Sequence, residues 1–226
     1  MRALRESGLE RDTLVMFISD NGMSFPFSKA NCYMNSTRTP WIVYWPGVVE
    51  AGVIDDEHMI SGIDFMPTIL EACGIEKVKG MDGRSFLPIL KGRKQDGRGR
   101  VFTTFHETSA KKRYEMRCLR EKNWSYIFNA WSDGKTRFES ESQAGASMKA
   151  MSEAAKKDKR LAERVNFFWY RTPEELYDLR NDPNELVNLA GLPEHKERQR
   201  KMRAEMLDWM TKTNDPILVS FKSKME

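Results

Sequence analysis

The chain has 226 residues, 40% of them apolar and 31% charged, which is enough to bury a core and ordinary for a globular protein. Its formal charge is +4, from 37 basic and 33 acidic side chains interspersed along the sequence. That mild excess favours an anionic ligand only weakly, and no aromatic-basic motif of a nucleic-acid reader is present. No stretch approaches the roughly 18 apolar residues of a membrane span, and the opening MRALRESGLERD lacks the layout of a secretory signal.

Residues 2–7 read as the end of a helix closed by Gly8. The run Thr13-Leu-Val-Met-Phe-Ile-Ser19 predicts a fully buried strand, which ends in the turn Asp20-Asn21-Gly22. Residues 23–39 show no period and read as a loop. Trp41–Tyr44 predicts a second buried strand, closed by Trp45-Pro46-Gly47. From Ile63 to Cys73 the spacing is helical, with Ile63, Met66, Ile69, Leu70 and Cys73 on one side and Gly74 at the end. Ser85–Leu90 predicts a short helix stopped by Gly92. This alternation predicts an α/β layer with a largely parallel sheet.

The basic, glycine-rich stretch KGRKQDGRGR, residues 91–100, reads as a linker dividing 1–97 from 98–226. Beyond it, Val101–Phe105, Tyr114–Arg120 and Trp124–Phe128 predict short antiparallel strands. Residues 145–166 read as one solvated helix. Pro193 to Thr211 reads as another, with Met202, Met206 and Met210 facing the core at steps of four. Cys32, Cys73 and Cys118 are too widely spaced to indicate zinc or a disulfide framework, and Cys73 reads as a small core residue. His58 and His195 stand in polar stretches and are expected to face solvent, and Arg38 is expected to be structural.

Asp20-Asn21 places a charged and a neutral oxygen donor at a strand's carboxyl end, where open α/β sheets bind ligands and where hard cations such as Ca²⁺ or Mg²⁺ are held. Alone, the tripeptide with Gly22 reads as an ordinary turn. Its surroundings are more specific. Phe17-Ile-Ser-Asp-Asn-Gly22, Phe25-Pro-Phe-Ser-Lys-Ala-Asn-Cys-Tyr33 and Arg38-Thr-Pro-Trp-Ile-Val-Tyr-Trp-Pro-Gly47 resemble the sulfatase family. More narrowly they are similar to the branch that includes the heparan N-sulfatases. Ile63–Leu70, Asp82–Ser85 with Leu87–Leu90, and Glu175-Leu-Tyr-Asp-Leu179 with Asn181-Asp-Pro183, Glu185 and Asn188–Ala190 continue the resemblance in order along nearly the whole chain.

The resemblance implies an α/β fold, part of an alkaline-phosphatase-like sandwich, with a smaller C-terminal antiparallel α+β subdomain. It implies hydrolysis of a sulfate ester or sulfamate on a sulfated sugar or polysaccharide. It also implies one Ca²⁺ ion, held by Asp20 and Asn21 together with ligands outside this chain, and a sulfate contact from Lys29. In the resembled branch, a His-Glu followed by Tyr-x-Met-Arg lies near the substrate. This marks His106, Glu107 and Arg117 as substrate-binding candidates, with a satisfied histidine and a surface arginine as the equal alternative.

The family's nucleophile is a formylglycine made within Cys/Ser-x-Pro-x-Arg. Cys32, Cys73 and Cys118 do not start that pattern, and Ser24-Phe-Pro-Phe-Ser28 ends in Ser. The chain is therefore expected to be a sulfatase fragment, inactive alone and weak in calcium binding, with a signal upstream if the protein is exported to periplasm, extracellular space or lysosome. Two rivals stand beside this reading. One is a two-metal phosphatase or phosphonate hydrolase of the same superfamily, against which Asn21 argues as an oxygen donor. The other is a non-catalytic, sulfatase-derived carbohydrate-binding or structural protein. Oligomeric state is open.

Overall fold

The structure is a computed structural model that describes residues 1–225. In chain order it contains α1 (Arg2–Glu6), β1 (Val15–Ile18), α2 (Met34–Thr37), β2 (Trp41–Tyr44), α3 (Phe65–Ala72), α4 (Leu87–Leu90), β3 (Arg100–Glu107), β4 (Arg113–Glu121) and β5 (Trp124–Asn129). There follow α5 (Ala146–Ala154), α6 (Lys159–Trp169), β6 (Glu174–Asp178), α7 (Lys196–Lys212) and α8 (Leu218–Met225). The chain forms two compact units. The first comprises Met1–Ser19 and Pro40–Val101, and the second comprises Asp20–Thr39 and the chain from Phe102 onward. The 20–39 segment thus packs with residues far away in sequence.

In the first unit, β1 and β2 pair antiparallel, with Val15 opposite Tyr44 and Ile18 opposite Trp41. This corrects the expected parallel arrangement. A parallel return needs a crossover of a dozen or more residues, usually a helix, and the intervening segment holds only the single turn of α2. The strands are also not buried on both faces, because the paired Phe17 and Ile42 are 63% and 58% exposed.

α3 forms where predicted but buries its other side. Asp64, Pro67 and Thr68 are buried, whereas Ile63, Met66 and Cys73 are exposed. The reason is a polar knot. Asp64 accepts from the Ser61 and Arg84 amides at 2.9 and 2.7 Å and from Arg98 Nη1 at 2.5 Å. The Thr68 hydroxyl donates to the Asp64 carbonyl at 2.6 Å and accepts from the Phe86 amide at 3.0 Å. Arg98 further donates to Gln95 Oε1 and to the Arg84 and Ser85 carbonyls. Residues 91–100 are therefore tied into the first unit and are not a free linker. Close packing is also seen at Gly83, where a Cβ would lie 1.9 Å from the Ile63 carbonyl oxygen. His58 does not simply face solvent: Nδ1 lies 2.8 Å from Asp55 Oδ2 and Nε2 accepts from the Gln95 amide at 3.3 Å.

The second unit is built on a four-stranded sheet in the order β3-β4-β5-β6. β4 and β5 pair antiparallel with Cys118 opposite Ile127, and β5 and β6 with Tyr126 opposite Leu176. Side chains alternate between the faces with the strand period of two. Met116, Cys118, Ile127 and Tyr177 join Phe27, Tyr33 and Phe168 on one face. Tyr126, Phe128 and Leu176 join Met202, Met206 and Met210 on the other. The three methionines are fully buried, as their spacing predicted. The helix expected over 145–166 is instead two. Asp158 breaks it by accepting from the Arg160 and Leu161 amides at 2.8 and 3.2 Å, capping α6.

Candidate functional site

The segment that follows β1 is strapped to itself by its own polar groups. Asp20 is exposed, and its carboxylate accepts from the Asn21 amide at 2.9 Å. The Gly22 amide donates to the Ser36 carbonyl at 2.9 Å. A Cβ at Gly22 would lie 1.9 Å from the Asn35 carbonyl oxygen and 2.3 Å from that of Ser28. Gly22 is required here by crowding rather than by a left-handed backbone. Gly22→Ala is expected to cost about 1–3 kcal/mol as an overpacked site, read as a lowered denaturant midpoint with an unchanged slope.

Lys29 is bracketed by two non-glycine residues in the left-handed region, Phe27 at φ 62° and Ala30 at φ 61°. Such a conformation costs about 1–3 kcal/mol per residue, and it persists only where the surroundings over-determine it. Burial supplies that here. The Phe27 ring meets Tyr33 and Phe168 edge-on at 5.3 and 5.1 Å, and the Arg164 guanidinium covers it at 3.6 Å. Immediately after Lys29, Asn31 Nδ2 donates to the Lys29 carbonyl at 2.8 Å, while Asn31 Oδ1 accepts from the Tyr33 amide at 2.9 Å. The Lys29 ammonium itself lies 3.3 Å from Glu141 Oε1, with the two side chains 37% and 31% exposed. A pair this open to water contributes about 0–1 kcal/mol, so Glu141 holds the ammonium only weakly.

The other candidates lie on the sheet. His106 and Glu107 are exposed at the end of β3. Glu107 pairs with Lys111 at 2.9 Å, and that hydrogen bond holds its carboxyl below the usual range. Arg117, on β4, is neither a surface arginine nor open to a ligand in this arrangement. It is fully buried and bidentate with Asp215, Nε to Oδ2 at 2.6 Å and Nη2 to Oδ1 at 3.0 Å, while Nη1 donates to the Met116 carbonyl at 2.9 Å. Asp20, Asn21 and Lys29 thus share one short strapped segment, whereas Arg117 serves the interior of the sheet.

Among the described residues no three His, Cys, Asp or Glu side chains converge to hold a metal ion. The hard oxygens of Asp20 and Asn21 suit Ca²⁺ chemically, as part of the roughly six to eight ligands that it takes.

A family model described as N-sulphoglucosamine sulphohydrolase, C-terminal, matches residues 24–141, just over half of the chain. The chain belongs to the sulfatase family. An ulvan-active sulfatase of Formosa agariphila is 28% identical to this sulfatase chain, covering 95% of it and 36% of the relative. The N-sulphoglucosamine sulphohydrolase of Homo sapiens is 26% identical, covering 96% of the chain and 45% of the relative. The chain thus spans less than half the length of these curated relatives. Among solved structures, a 2-O GAG sulfatase superimposes with a TM-score of 0.68 at 22% identity, over 95% of the chain and 39% of the neighbour. Another, solved in complex with its substrate D-glucosamine-2-N,6-O-disulfate, gives 0.62 at 20% identity, over 95% of the chain and 38% of the neighbour. The fold of this sulfatase chain is that of the alkaline-phosphatase-like sulfatases with antiparallel sheets.

Glu141 and Arg120, which help organise the segment, act across long separations and leave no local signal. Glu175 and Glu185 fall in the stretch that carries the family resemblance, but Glu175 stands in the acidic strand Glu-Glu-Leu-Tyr-Asp, where nothing in the pattern marks it for burial.

Proposed function

We propose that the chain forms the C-terminal part of a calcium-dependent sulfatase that hydrolyses a sulfate ester or sulfamate on a sulfated sugar, with the formylglycine nucleophile supplied by residues outside this chain. The observation that carries the reading is Lys29, held on a strained, buried-anchored segment with its ammonium paired to the partly exposed Glu141 carboxylate. Family membership supports the reaction class. The D-glucosamine-2-N,6-O-disulfate substrate of a solved neighbour, and the likeness to an ulvan-active sulfatase and an N-sulphoglucosamine sulphohydrolase, support the sugar.

Asp20 and Asn21 would present their oxygens to the ion. Calcium, when bound, polarises a sulfate oxygen and orients the group. Lys29 leaves Glu141 and places a compact positive charge against another sulfate oxygen, where charge grows as the S–O or S–N bond breaks. His106, exposed at the end of β3, would hydrogen-bond a sugar hydroxyl or the departing group. Arg117 orders the sheet. The apolar residues exposed on the first unit, Phe17, Ile42, Ile63 and Met66, fit a surface that the rest of a catalytic domain covers.

The test is turnover of an aryl sulfate and of a sulfated glucosamine by the full-length protein and by this 226-residue chain. Full-length protein is expected to turn over, to lose activity with a chelator and to regain it with Ca²⁺, while the chain alone shows none. Turnover by the chain alone, or none by the full-length protein, overturns the proposal.

A further inference from the structure

We infer that Glu175, Glu185 and Arg120 are positioning residues that hold the Lys29 segment against the four-stranded sheet. The inference deepens the function proposed above and rests on its reading of Lys29.

Glu175 and Glu185 are buried carboxylates, 0% and 1% exposed, in and just after β6. The Tyr33 hydroxyl donates to Glu175 Oε2 at 2.6 Å across 142 residues of sequence. The Met34 amide donates to Glu185 Oε2 at 2.5 Å across 151 residues. These contacts fall four and five residues beyond Lys29. Arg120, from β4, closes the same stretch from a third side. Its Nη2 donates to the Cys32 carbonyl at 3.0 Å and to Glu185 Oε1 at 3.1 Å, and its Nη1 reaches Thr37 Oγ1 at 3.2 Å.

The construction is costly, which argues that it is more than packing. Burial pushes the Glu185 carboxyl up, against the opposing pull of Arg120. Burial, together with the Glu175 charge, drives the Tyr33 hydroxyl well above its ordinary range. Glu185 also sits in the left-handed region at φ 52°, a strained backbone for a non-glycine residue. A charge-assisted hydrogen bond in a dry site is strong and directional. Here two of them, one from within β6 and one from the loop that follows it, fix the backbone that delivers Lys29. A contact that only filled space would be met by apolar side chains.

The clamp can be probed gently because Glu175 has three donors. Besides Tyr33 it accepts from Tyr177 Oη and from Asn129 Nδ2, the latter at 2.6 Å. Tyr33→Phe cuts the link to the segment, and Tyr177→Phe removes an equivalent hydroxyl from the same carboxylate oxygen without touching it. Hydrogen exchange and steady-state kinetics are read on the full-length protein. Tyr33→Phe is expected to speed exchange of the amides of residues 31–37 about tenfold, the scale of one lost buried hydrogen bond. It is also expected to lower kcat by about the same factor with KM nearly unchanged. Tyr177→Phe should do neither. Unchanged exchange at 31–37 in Tyr33→Phe overturns the inference, as does faster exchange with an unaltered kcat, or an equal effect from Tyr177→Phe. A wild type without sulfatase turnover overturns the reading of Lys29 instead, and exchange alone then decides whether the clamp exists.

Discussion

Lys29→Ala in the full-length enzyme is expected to lower kcat about 100- to 1,000-fold, the effect of removing one preorganised charge donor from a developing anion. KM should change far less, since the ammonium gains most of its interaction as the sulfur bond breaks. Lys29→Arg should recover part of the loss: it restores the positive charge on a bulkier planar head that cannot occupy the same point. Glu141→Gln is the informative partner variant. It frees the ammonium from the 3.3 Å pair, so substrate no longer competes with a carboxylate, and KM is expected to fall slightly with kcat preserved. Steady-state kinetics on the three variants check these expectations. A Lys29→Ala enzyme with kcat within threefold of wild type would remove Lys29 from the mechanism.

Asp215→Ala is expected to destabilise the fold by roughly 3–5 kcal/mol, because it strands a buried guanidinium whose Nε and Nη2 both point at the lost carboxylate. Arg117→Met should cost a similar amount by leaving Asp215 unpaired. The double variant Arg117→Met, Asp215→Leu should recover most of the loss, since a well-packed apolar pair can replace a buried ion pair at little net cost. Chemical denaturation of all four proteins closes the cycle. The same cycle separates two roles for Arg117. A structural arginine gives a stable double variant with near-normal KM, and a substrate-binding one gives a stable double variant with KM raised.

The second unit is largely legible in the sequence. Its strands alternate cleanly, with Met116 and Cys118 on one face of β4 and Leu119 on the other, and the methionines of α7 keep a four-residue step. Hydropathy reads such patterns because each side chain answers to one face. The first unit was read less well for a definite reason. An apolar run reports that a strand forms but not which neighbour it pairs with or in which direction, so β1 and β2 were expected to be parallel. At α3 the apolar stripe pointed the wrong way, because the buried side is built from the hydrogen bonds of Asp64, Thr68 and Arg98, which hydropathy counts as solvent-facing.

The site divides along the same line. Asp20, Asn21 and Lys29 are proposed from a motif whose residues are close in sequence. The groups that hold them are not close, since Tyr33 meets its carboxylate across 142 residues. Arg117 was marked because its motif resembles one near a substrate pocket. Its partner, 98 residues on, is not foreseeable from spacing, and the pairing with it buries the arginine.

The paired Phe17 and Ile42 side chains have a bearing on how such a protein is made. A two-stranded ribbon is marginal in water by itself, and this one shows an oily face and two unpaired rims to whatever is nearby. In this chain by itself, at high concentration, it would be a seed for insoluble material. Meanwhile the well-packed second unit, which has sealed cores on both sides of its sheet, would already resist proteases. Limited trypsin digestion should therefore leave the Asp20–Thr39 segment protected together with the region from Phe102 onward.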